Sequence, residues 1–245
     1  MKSETTSVGR GASQPPGQAS LALVIAGLLV LFNNLINLLP QPTHDRMFVP
    51  VNLAALALLL MWVRFRGLSW KELGFSLDRI GSGLRWGLGL GLALPAPMFL
   101  ALALPESLGS LADPRDYSDV TATSLAYQTL LRIPLGTALF EEAVFRGVLY
   151  GVWVRAAGTR RAFIGTSVAF GLWHVTPTLE LMSGSGYFPN VFLLALAVIG
   201  GVLAAFLGGL FFGWLRLRTG AIYGPTLTHW LINALGAMAA FLIAR

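Results

Sequence analysis

The sequence predicts an all-α protein, a polytopic bundle of about seven transmembrane helices. Two observations favour this class. Hydrophobic residues make up 55% of the 245 residues, charged residues only 11%, and the mean hydropathy is +0.69, too apolar for a soluble domain with a polar shell. The apolar residues are also gathered in long stretches, several near the roughly 20 residues that cross a bilayer as a helix.

Seven stretches are candidate spans, and together they define the domain organisation. They cover residues 20–39, 48–63, 84–104, 124–153, 162–177, 191–214 and 220–244. The polar residues before the first stretch predict a disordered cytoplasmic tail over 1–19. N-terminal transmembrane helices with a cytoplasmic interfacial segment are expected over 20–121, and a second transmembrane domain over 122–245.

The first stretch is expected to remain in the mature protein as a helix. It carries Asn33, Asn34 and Asn37, and no small-residue cleavage site follows it. A signal peptide would have such a site after its apolar core. The sequence therefore predicts a retained transmembrane helix here.

Basic residues alternate between the two ends of the stretches. They precede the first, separate the second from the third, and follow the fourth and the sixth: Lys2, Arg10, Arg64, Arg66, Lys71, Arg79, Arg85, Arg155, Arg160, Arg161, Arg216 and Arg218. Because basic loops stay in the cytoplasm, we expect a multi-pass protein of the bacterial cytoplasmic membrane with its N-terminus inside. The net charge of +6 thus indicates orientation in the bilayer, and not nucleic acid binding.

Two further patterns concern packing. Residues 68–80 mix aromatic and aliphatic side chains with charges, which predicts a short interfacial helix on the cytoplasmic surface. Small residues let membrane helices approach closely, so glycines that recur within the spans predict close helix contacts. These glycines are Gly87, Gly89, Gly91, Gly200, Gly201, Gly208, Gly209 and Gly213.

Ionisable residues inside the spans are the functional candidates, because each charge in hydrocarbon costs about 3 kcal/mol. They are Arg132, Glu141, Glu142, Arg146, His174 and His229. Arg132 is assigned no role, because it lies on the outer side of a long stretch and its side chain can reach the headgroups. The i, i+4 spacing places Glu142 and Arg146 on one helix face, and Glu141 lies about 100° around the helix. The same spacing joins His229 to Asn233.

Three of these residues are predicted to lie at one depth. Glu141, His174 and His229 are 11 to 14 residues from the nearest proposed cytoplasmic end of their stretches. At about 1.5 Å per residue, this places them about 16 to 21 Å deep, near the middle of the bilayer. The sequence therefore predicts that they converge from three helices.

This set of residues suits hydrolysis. A carboxylate beside two imidazoles can take a proton from water, while hydrogen-bonding groups stabilise a developing oxyanion. Glu141, His174 and His229 could instead ligate a divalent metal such as zinc and leave a position for water. The residues by themselves do not choose between the two. HExxH, GxSG and a pair of membrane aspartates are all absent, and the chain has no cysteine.

Three motifs in this order resemble the CAAX protease and bacteriocin-processing (CPBP) family of intramembrane metalloproteases, which includes the type II CAAX prenyl endopeptidases. EExxxR corresponds to residues 141–146, FxxxH to 170–174 and HxxxN to 229–233. The resemblance covers roughly residues 122–244. It implies an α-helical intramembrane endopeptidase that opens toward the cytoplasm, with 122–245 as the catalytic domain.

The resemblance also implies roles for single residues. Glu141 would activate water with the help of His174, and His229 and Asn233 would form the oxyanion site. The pair formed by the second glutamate and the arginine of EExxxR would hold the helix in register.

Cofactor and substrate are left open by the resemblance. Members are called metalloproteases, yet a metal-free glutamate mechanism has also been argued, so zinc and metal-free catalysis both stand. The implied substrate is a membrane-associated protein or peptide, either a prenylated CAAX-type chain or a bacteriocin-like one. The lipid bilayer is the other expected partner.

Two functions without peptide hydrolysis fit the same residues. A non-catalytic membrane immunity or scaffold protein would bind a partner through its spans. A proton-coupled transporter would use intramembrane glutamate and histidine as a proton relay. Against the transporter, the two halves show no inverted repeat, and the polar residues cluster in the second half.

Overall fold

The computed structural model describes residues 18–102 and 120–243, and these contain helices and no strand. The predicted all-α class is therefore confirmed. The predicted tail falls almost wholly outside the described residues. So does most of the loop between the third and fourth predicted spans.

We number the helices of the described ranges in chain order. They are α1 (Gln18–Ile36), α2 (Gln41–Phe65), α3 (Ile80–Ala93), α4 (Ala96–Leu102), α5 (the continuous helical run 122–157), α6 (Thr159–Trp173), α7 (Val175–Gly184), α8 (Val191–Thr219) and α9 (Tyr223–Ile243). A short 3₁₀ turn, Leu77–Arg79, precedes α3.

Three of the described helices are long and apolar enough to cross a membrane. They contain the segments Thr43–Phe65, Val191–Thr219 and Tyr223–Ile243, and α1 adds a shorter apolar segment. The predicted total of seven spans stays a prediction. The third predicted span is divided near Pro95, because proline lacks the N–H that would continue the helix.

Helix α5 is the central element of the bundle. Every residue from 140 to 152 is buried, as expected for a helix that is covered on all sides by its neighbours. Two of its segments are wound as π-helix: Gln128–Leu139 and Ala143–Leu149. Glu141 and Glu142 lie in the α-helical turn between them. Wide helical turns of this kind are frequent at functional sites.

Several of the glycines make the close helix contacts that the sequence predicts. A Cβ on Gly87 of α3 would lie 2.8 Å from the Cβ of Leu227 on α9. A Cβ on Gly209 of α8 would lie 3.0 Å from the backbone of Ser167 on α6. The prediction is wrong for three others, which face open space among the described residues: Gly89, Gly200 and Gly208.

The segment over residues 68–80 differs from the predicted interfacial helix. It consists of turns that enter the bundle, and Leu73 is fully buried in the core. The carbonyl of Leu73 would lie 2.9 Å from a Cβ at Gly147. The backbone N–H of Ile222 donates to the carbonyl of Gly74 at 3.0 Å. Part of the apolar surface of the segment is thus buried against the rest of the protein.

Candidate active site

Glu142 is fully buried and joins α5 to α9. The i, i+4 spacing within α5 places its Oε2 3.3 Å from Nε of Arg146. Its Oε1 accepts a hydrogen bond from Nδ1 of His229 on α9, at 3.0 Å. Oε1 is thus hydrogen-bonded, whereas Oε2 is ion-paired with Arg146 but accepts no hydrogen bond among the described residues.

Arg146 extends this connection to α6 and α8. Its Nη2 donates to the carbonyl of Gly209 at 3.1 Å. Its guanidinium carbon lies 4.2 Å from the ring centroid of Phe170 and 5.4 Å from that of Phe212. A guanidinium over an aromatic face is attracted by the negative face of the ring, so the charge is stabilised without water. One side chain thereby ties the first motif to two further helices.

Glu141 is also buried, but it has fewer partners. Its Oε1 accepts a hydrogen bond of 3.2 Å from the indole N–H of Trp173. Its Oε2 is buried and has no hydrogen-bond donor among the described residues. A carboxylate oxygen of this kind can accept a proton from a bound water or from a substrate.

His174 occupies the break between α6 and α7. Its Nδ1 lies 2.8 Å from the carbonyl of Phe170, one turn earlier. Because a carbonyl can only accept, Nδ1 is the donor in this contact, and in a neutral imidazole Nε2 is then an acceptor. The Phe170 ring lies 4.6 Å from the imidazole, centroid to centroid. The FxxxH motif therefore fixes the histidine through both the backbone and the ring of its phenylalanine.

A cavity of about 540 Å³ brings the second and third motifs together. Three polar side chains line it: His174, His229 and Asn233. Most of the remaining wall is apolar and comes from α8, α9 and the turn after α3. The amide of Asn233 makes no hydrogen bond among the described residues. A small number of polar groups in an apolar wall is typical of a site that binds and orients a ligand.

The predicted residues are therefore brought together in two connected groups. His229, Glu142 and Arg146 form one hydrogen-bonded and ion-paired group at the cavity wall. Glu141 does not line the cavity. It is joined to the cavity side through Trp173, the chain neighbour of His174.

The sequence also allowed Glu141, His174 and His229 to be the ligands of a zinc ion. The described residues contain no group of three His, Asp or Glu side chains that could hold an ion. We therefore derive no catalytic step through a metal.

Sequence reasoning missed three residues that shape the site. Trp173 donates to Glu141, Gly209 accepts from Arg146, and Phe212 stacks on His229 at 4.8 Å between ring centroids. Only the tryptophan left a sequence signal, because a buried indole N–H requires an acceptor. Gly209 acts through its backbone carbonyl, which any residue could supply. Phe212 acts through its ring, which any phenylalanine in the core could supply.

Comparison with known proteins finds one family that resembles the second half of the chain. Residues 123–235 match the family described as type II CAAX prenyl endopeptidase Rce1-like, and all three motifs lie inside the match. No curated protein and no solved structure matches the chain. Over residues 123–235, somewhat less than half of its length, the chain is therefore similar to the Rce1-like family of type II CAAX prenyl endopeptidases, which is a protease family.

Proposed function

We propose that the chain is an intramembrane endopeptidase in which Glu141 is the base that activates water. The supporting observation is the contrast between the two glutamates of the first motif. Glu142 has an ion-pair partner in Arg146 at Oε2 and a hydrogen-bond partner in His229 at Oε1, whereas Oε2 of Glu141 is buried with neither an ion-pair partner nor a donor among the described residues. A base must be able to accept a proton, so the less engaged carboxylate suits this role.

The reaction begins with a water held between Glu141 and Nε2 of His174. The carboxylate takes a proton from the water, and the water oxygen attacks the carbonyl carbon of the scissile peptide bond. The protonated Glu141 then gives this proton to the leaving nitrogen as the C–N bond breaks. Base and acid are thus the same side chain, and the sum of the steps is hydrolysis of one peptide bond.

The oxyanion that forms in this attack is stabilised by His229 and Asn233. The Asn233 amide lines the cavity and can donate an N–H to the oxyanion. His229 donates Nδ1–H to Glu142 and presents Nε2–H when it carries both protons. Glu142 and Arg146 act here as positioning residues, because they hold the imidazole without touching the substrate.

The substrates we propose are membrane-associated proteins or peptides that carry a lipid chain, of which a prenylated CAAX peptide is the chosen probe. The cavity wall is mainly apolar, with Leu94, Leu207 and Ile232 among its residues. An apolar wall favours a lipidated chain because its burial removes hydrocarbon from water or from the headgroup layer. Equal cleavage of farnesylated and bare peptides would count against a lipidated substrate.

The deciding experiment uses the purified protein in detergent with a quenched farnesylated CAAX peptide. Wild type is expected to cleave it, and Glu141→Gln to lower kcat by about 10²- to 10⁴-fold, the contribution of a positioned base. Glu180→Gln is the matched control, because Glu180 is an exposed glutamate on α7 and should retain full activity. Metal content is measured on the same samples, and cleavage is expected to survive chelation.

Other outcomes would overturn the proposal. Full activity of Glu141→Gln would show that Glu141 is not the base that activates water. Loss of activity on chelation, restored by zinc, would replace the glutamate mechanism by a metal-dependent one. A triple variant at Glu141, His174 and His229 that retains its phenotype in cells would favour the scaffold. Proton-coupled flux in liposomes without cleavage would favour the transporter.

We also propose that the end of the bundle containing the segment 68–80 is cytoplasmic, with the N-terminus inside a bacterial cytoplasmic membrane. Arg155 pairs with Glu72 at this end, and the side chain of Arg79 lies close to Gly220. Basic residues gather on the cytoplasmic side of membrane proteins.

The chain lacks cysteine, so single cysteines report topology cleanly. An impermeant thiol reagent applied from outside should label Asp45→Cys and spare Arg160→Cys, and the reverse pattern would overturn this orientation.

A further inference from the structure

The break between α6 and α7 carries both His174 and the chain neighbour that contacts Glu141. Helix α6 ends at Trp173, and α7 begins at Val175. Each helix end leaves backbone carbonyls or N–H groups without partners inside the helix. In hydrocarbon, water cannot satisfy these groups, so other side chains must do so.

Asn34 of α1 satisfies groups on both sides of this break. Its Nδ2 donates to the carbonyl of Leu172, near the end of α6, at 3.1 Å. Its Oδ1 accepts from the backbone N–H of Thr176, in the first turn of α7, at 2.7 Å. A primary amide carries a donor and an acceptor on one planar group, so a single side chain can hold both helix ends.

Asn33 holds the same break from the neighbouring position. It is buried, and its Nδ2 donates to the carbonyl of Trp173 at 2.7 Å. The Nδ2 of Asn37 donates in turn to Oδ1 of Asn33 at 3.1 Å. This second bond fixes the orientation of the Asn33 amide, so that its N–H₂ group faces Trp173.

The backbone of the break, which Asn33 and Asn34 bind, determines where the side chains of Trp173 and His174 point. The indole of Trp173 donates to Glu141, and His174 donates to the carbonyl of Phe170. Both side chains leave the backbone within one residue of the carbonyl that Asn33 binds. A shift of the break would therefore move two side chains together: Trp173, which contacts the proposed base Glu141, and His174, which is proposed to hold the water.

We propose that Asn33 and Asn34 of α1 are positioning residues of the active site, because they hold the α6–α7 break that orients Trp173 and His174. This inference rests on the proposed function for its effect on the reaction. Both asparagines lie outside the matched family region, which begins at residue 123. The N-terminal part of the chain thus contributes to a site whose reacting groups all come from the second half.

The test compares Asn34→Leu and Asn33→Leu with two controls. Leu35→Ala alters an exposed residue of α1, and Asn52→Leu removes a buried asparagine that donates to the carbonyl of Gly136, away from the break. Peptide cleavage is measured as separate kcat and KM. Nitrogen NMR of labelled histidine reports the His174 tautomer, and the chain has only three histidines to assign.

The α1 variants are expected to lower kcat at least about tenfold with KM within about twofold, because misplacement by about 1 Å can cost a hundredfold. Their His174 signal should lose the single Nδ1–H tautomer. Asn34→Asp keeps the acceptor for Thr176 and should lose less activity than Asn34→Leu. Leu35→Ala and Asn52→Leu should retain the wild-type tautomer.

The proposal is overturned if the α1 variants keep the wild-type tautomer and kcat, or if Asn52→Leu changes both to the same extent. Where a leucine variant fails to fold, Asn33→Asp and Asn34→Asp, which preserve side-chain volume, are compared instead. If wild type does not cleave the peptide, the proposed function fails, and the tautomer measurement still decides whether α1 positions His174.

Discussion

Glu141 and Glu142 are neighbours on α5, yet the regions around them differ in how the carboxylate is held, because only that of Glu142 takes part in an ion pair among the described residues. Around Glu142, Arg146, His229, Gly209 and two aromatic rings form a closed arrangement that joins four helices. Around Glu141, one indole N–H meets one oxygen, and the other oxygen has no donor among the described residues.

The first motif thus divides structural and chemical tasks between its two glutamates. A buried charge that is ion-paired and hydrogen-bonded keeps its neighbours in fixed positions, and proton transfer to it would weaken the ion pair. A buried carboxylate with a spare oxygen is costly for stability, and such groups call for a functional explanation. We therefore expect substitutions in the two regions to separate stability from activity.

The largest effect on stability is expected from Glu142→Gln. The change removes the negative charge and leaves Arg146 buried without its partner, which typically costs about 3 to 5 kcal/mol. Glu141→Gln is the matched comparison and should change stability by less than about 1 kcal/mol, because it loses no ion pair. The free energy of unfolding is measured for both variants in mixed micelles titrated with a denaturing detergent.

A double variant sharpens this test. Glu142→Gln combined with Arg146→Met removes both buried charges and should recover most of the lost stability. If Glu142→Gln lowers the free energy of unfolding no more than Glu141→Gln does, the contacts of Glu142 do not stabilise the bundle.

An intermediate effect is expected from Trp173→Phe. The phenylalanine ring preserves the aromatic contacts with Phe140 and Phe145 but removes the N–H that meets Glu141. A lost hydrogen bond to a buried charged group costs about 1.5 to 3 kcal/mol. We also expect kcat to fall about tenfold, because Glu141 is no longer held in place.

Trp214→Phe is the control for this substitution. Its side chain is half-exposed on α8, and its N–H donates no hydrogen bond to the described residues. Stability and kcat should both stay close to wild type. Equal losses in the two tryptophan variants would show that the aromatic surface matters, and not the bond to Glu141.

The smallest effect is expected at the exposed end of the bundle, from Glu72→Gln. Two hydrogen bonds from Arg155, at 2.7 and 2.8 Å, together with bonds from Ser69, lower the pKa of Glu72 from 4.5 to about 2 despite some burial. The stabilisation is therefore present above about pH 4.5 and lost as the pH falls toward 2. Because both side chains are 38% exposed, solvent screening keeps it below about 1 kcal/mol.

The measurement compares the thermal unfolding midpoints of wild type and Glu72→Gln at neutral and at acidic pH. Wild type should be slightly more stable near neutral pH, and the difference should vanish as the pH approaches 2. A difference that grows on acidification would contradict the direction of the pKa change.

The elements that sequence reasoning predicted best are those that depend on one stretch of chain. The apolar stretches predicted a helical bundle, and i, i+4 spacing predicted that Glu142 and Arg146 share a face. Predictions failed where a pattern has two physical explanations. The amphipathic segment 68–80 was expected to lie on lipid, yet its apolar Leu73 contacts the protein core. Glycines such as Gly89 were expected at helix contacts but face open space.

The asparagines of α1 show most clearly which contacts cannot be predicted from the sequence. Their presence in an apolar stretch is visible in the sequence, but their partners at Leu172 and Trp173 are 138 and 140 residues away. Hydropathy assigns a residue to a helix without stating how that helix is rotated against its neighbours. The acceptors are backbone carbonyls, which carry no residue identity and leave no trace in a motif.

By itself, the sequence determined the helical membrane class, the three motifs and the spacing that joins Glu142 to Arg146, because composition and helical geometry are local properties. Only the tertiary structure decided that His229, 87 residues along the chain, pairs with Glu142, while Glu141 meets an indole. The two glutamates are about 100° apart on one helix, so the rotation of α5 among its neighbours assigns their partners. That rotation is set by packing across the whole bundle, including helices far away in the chain.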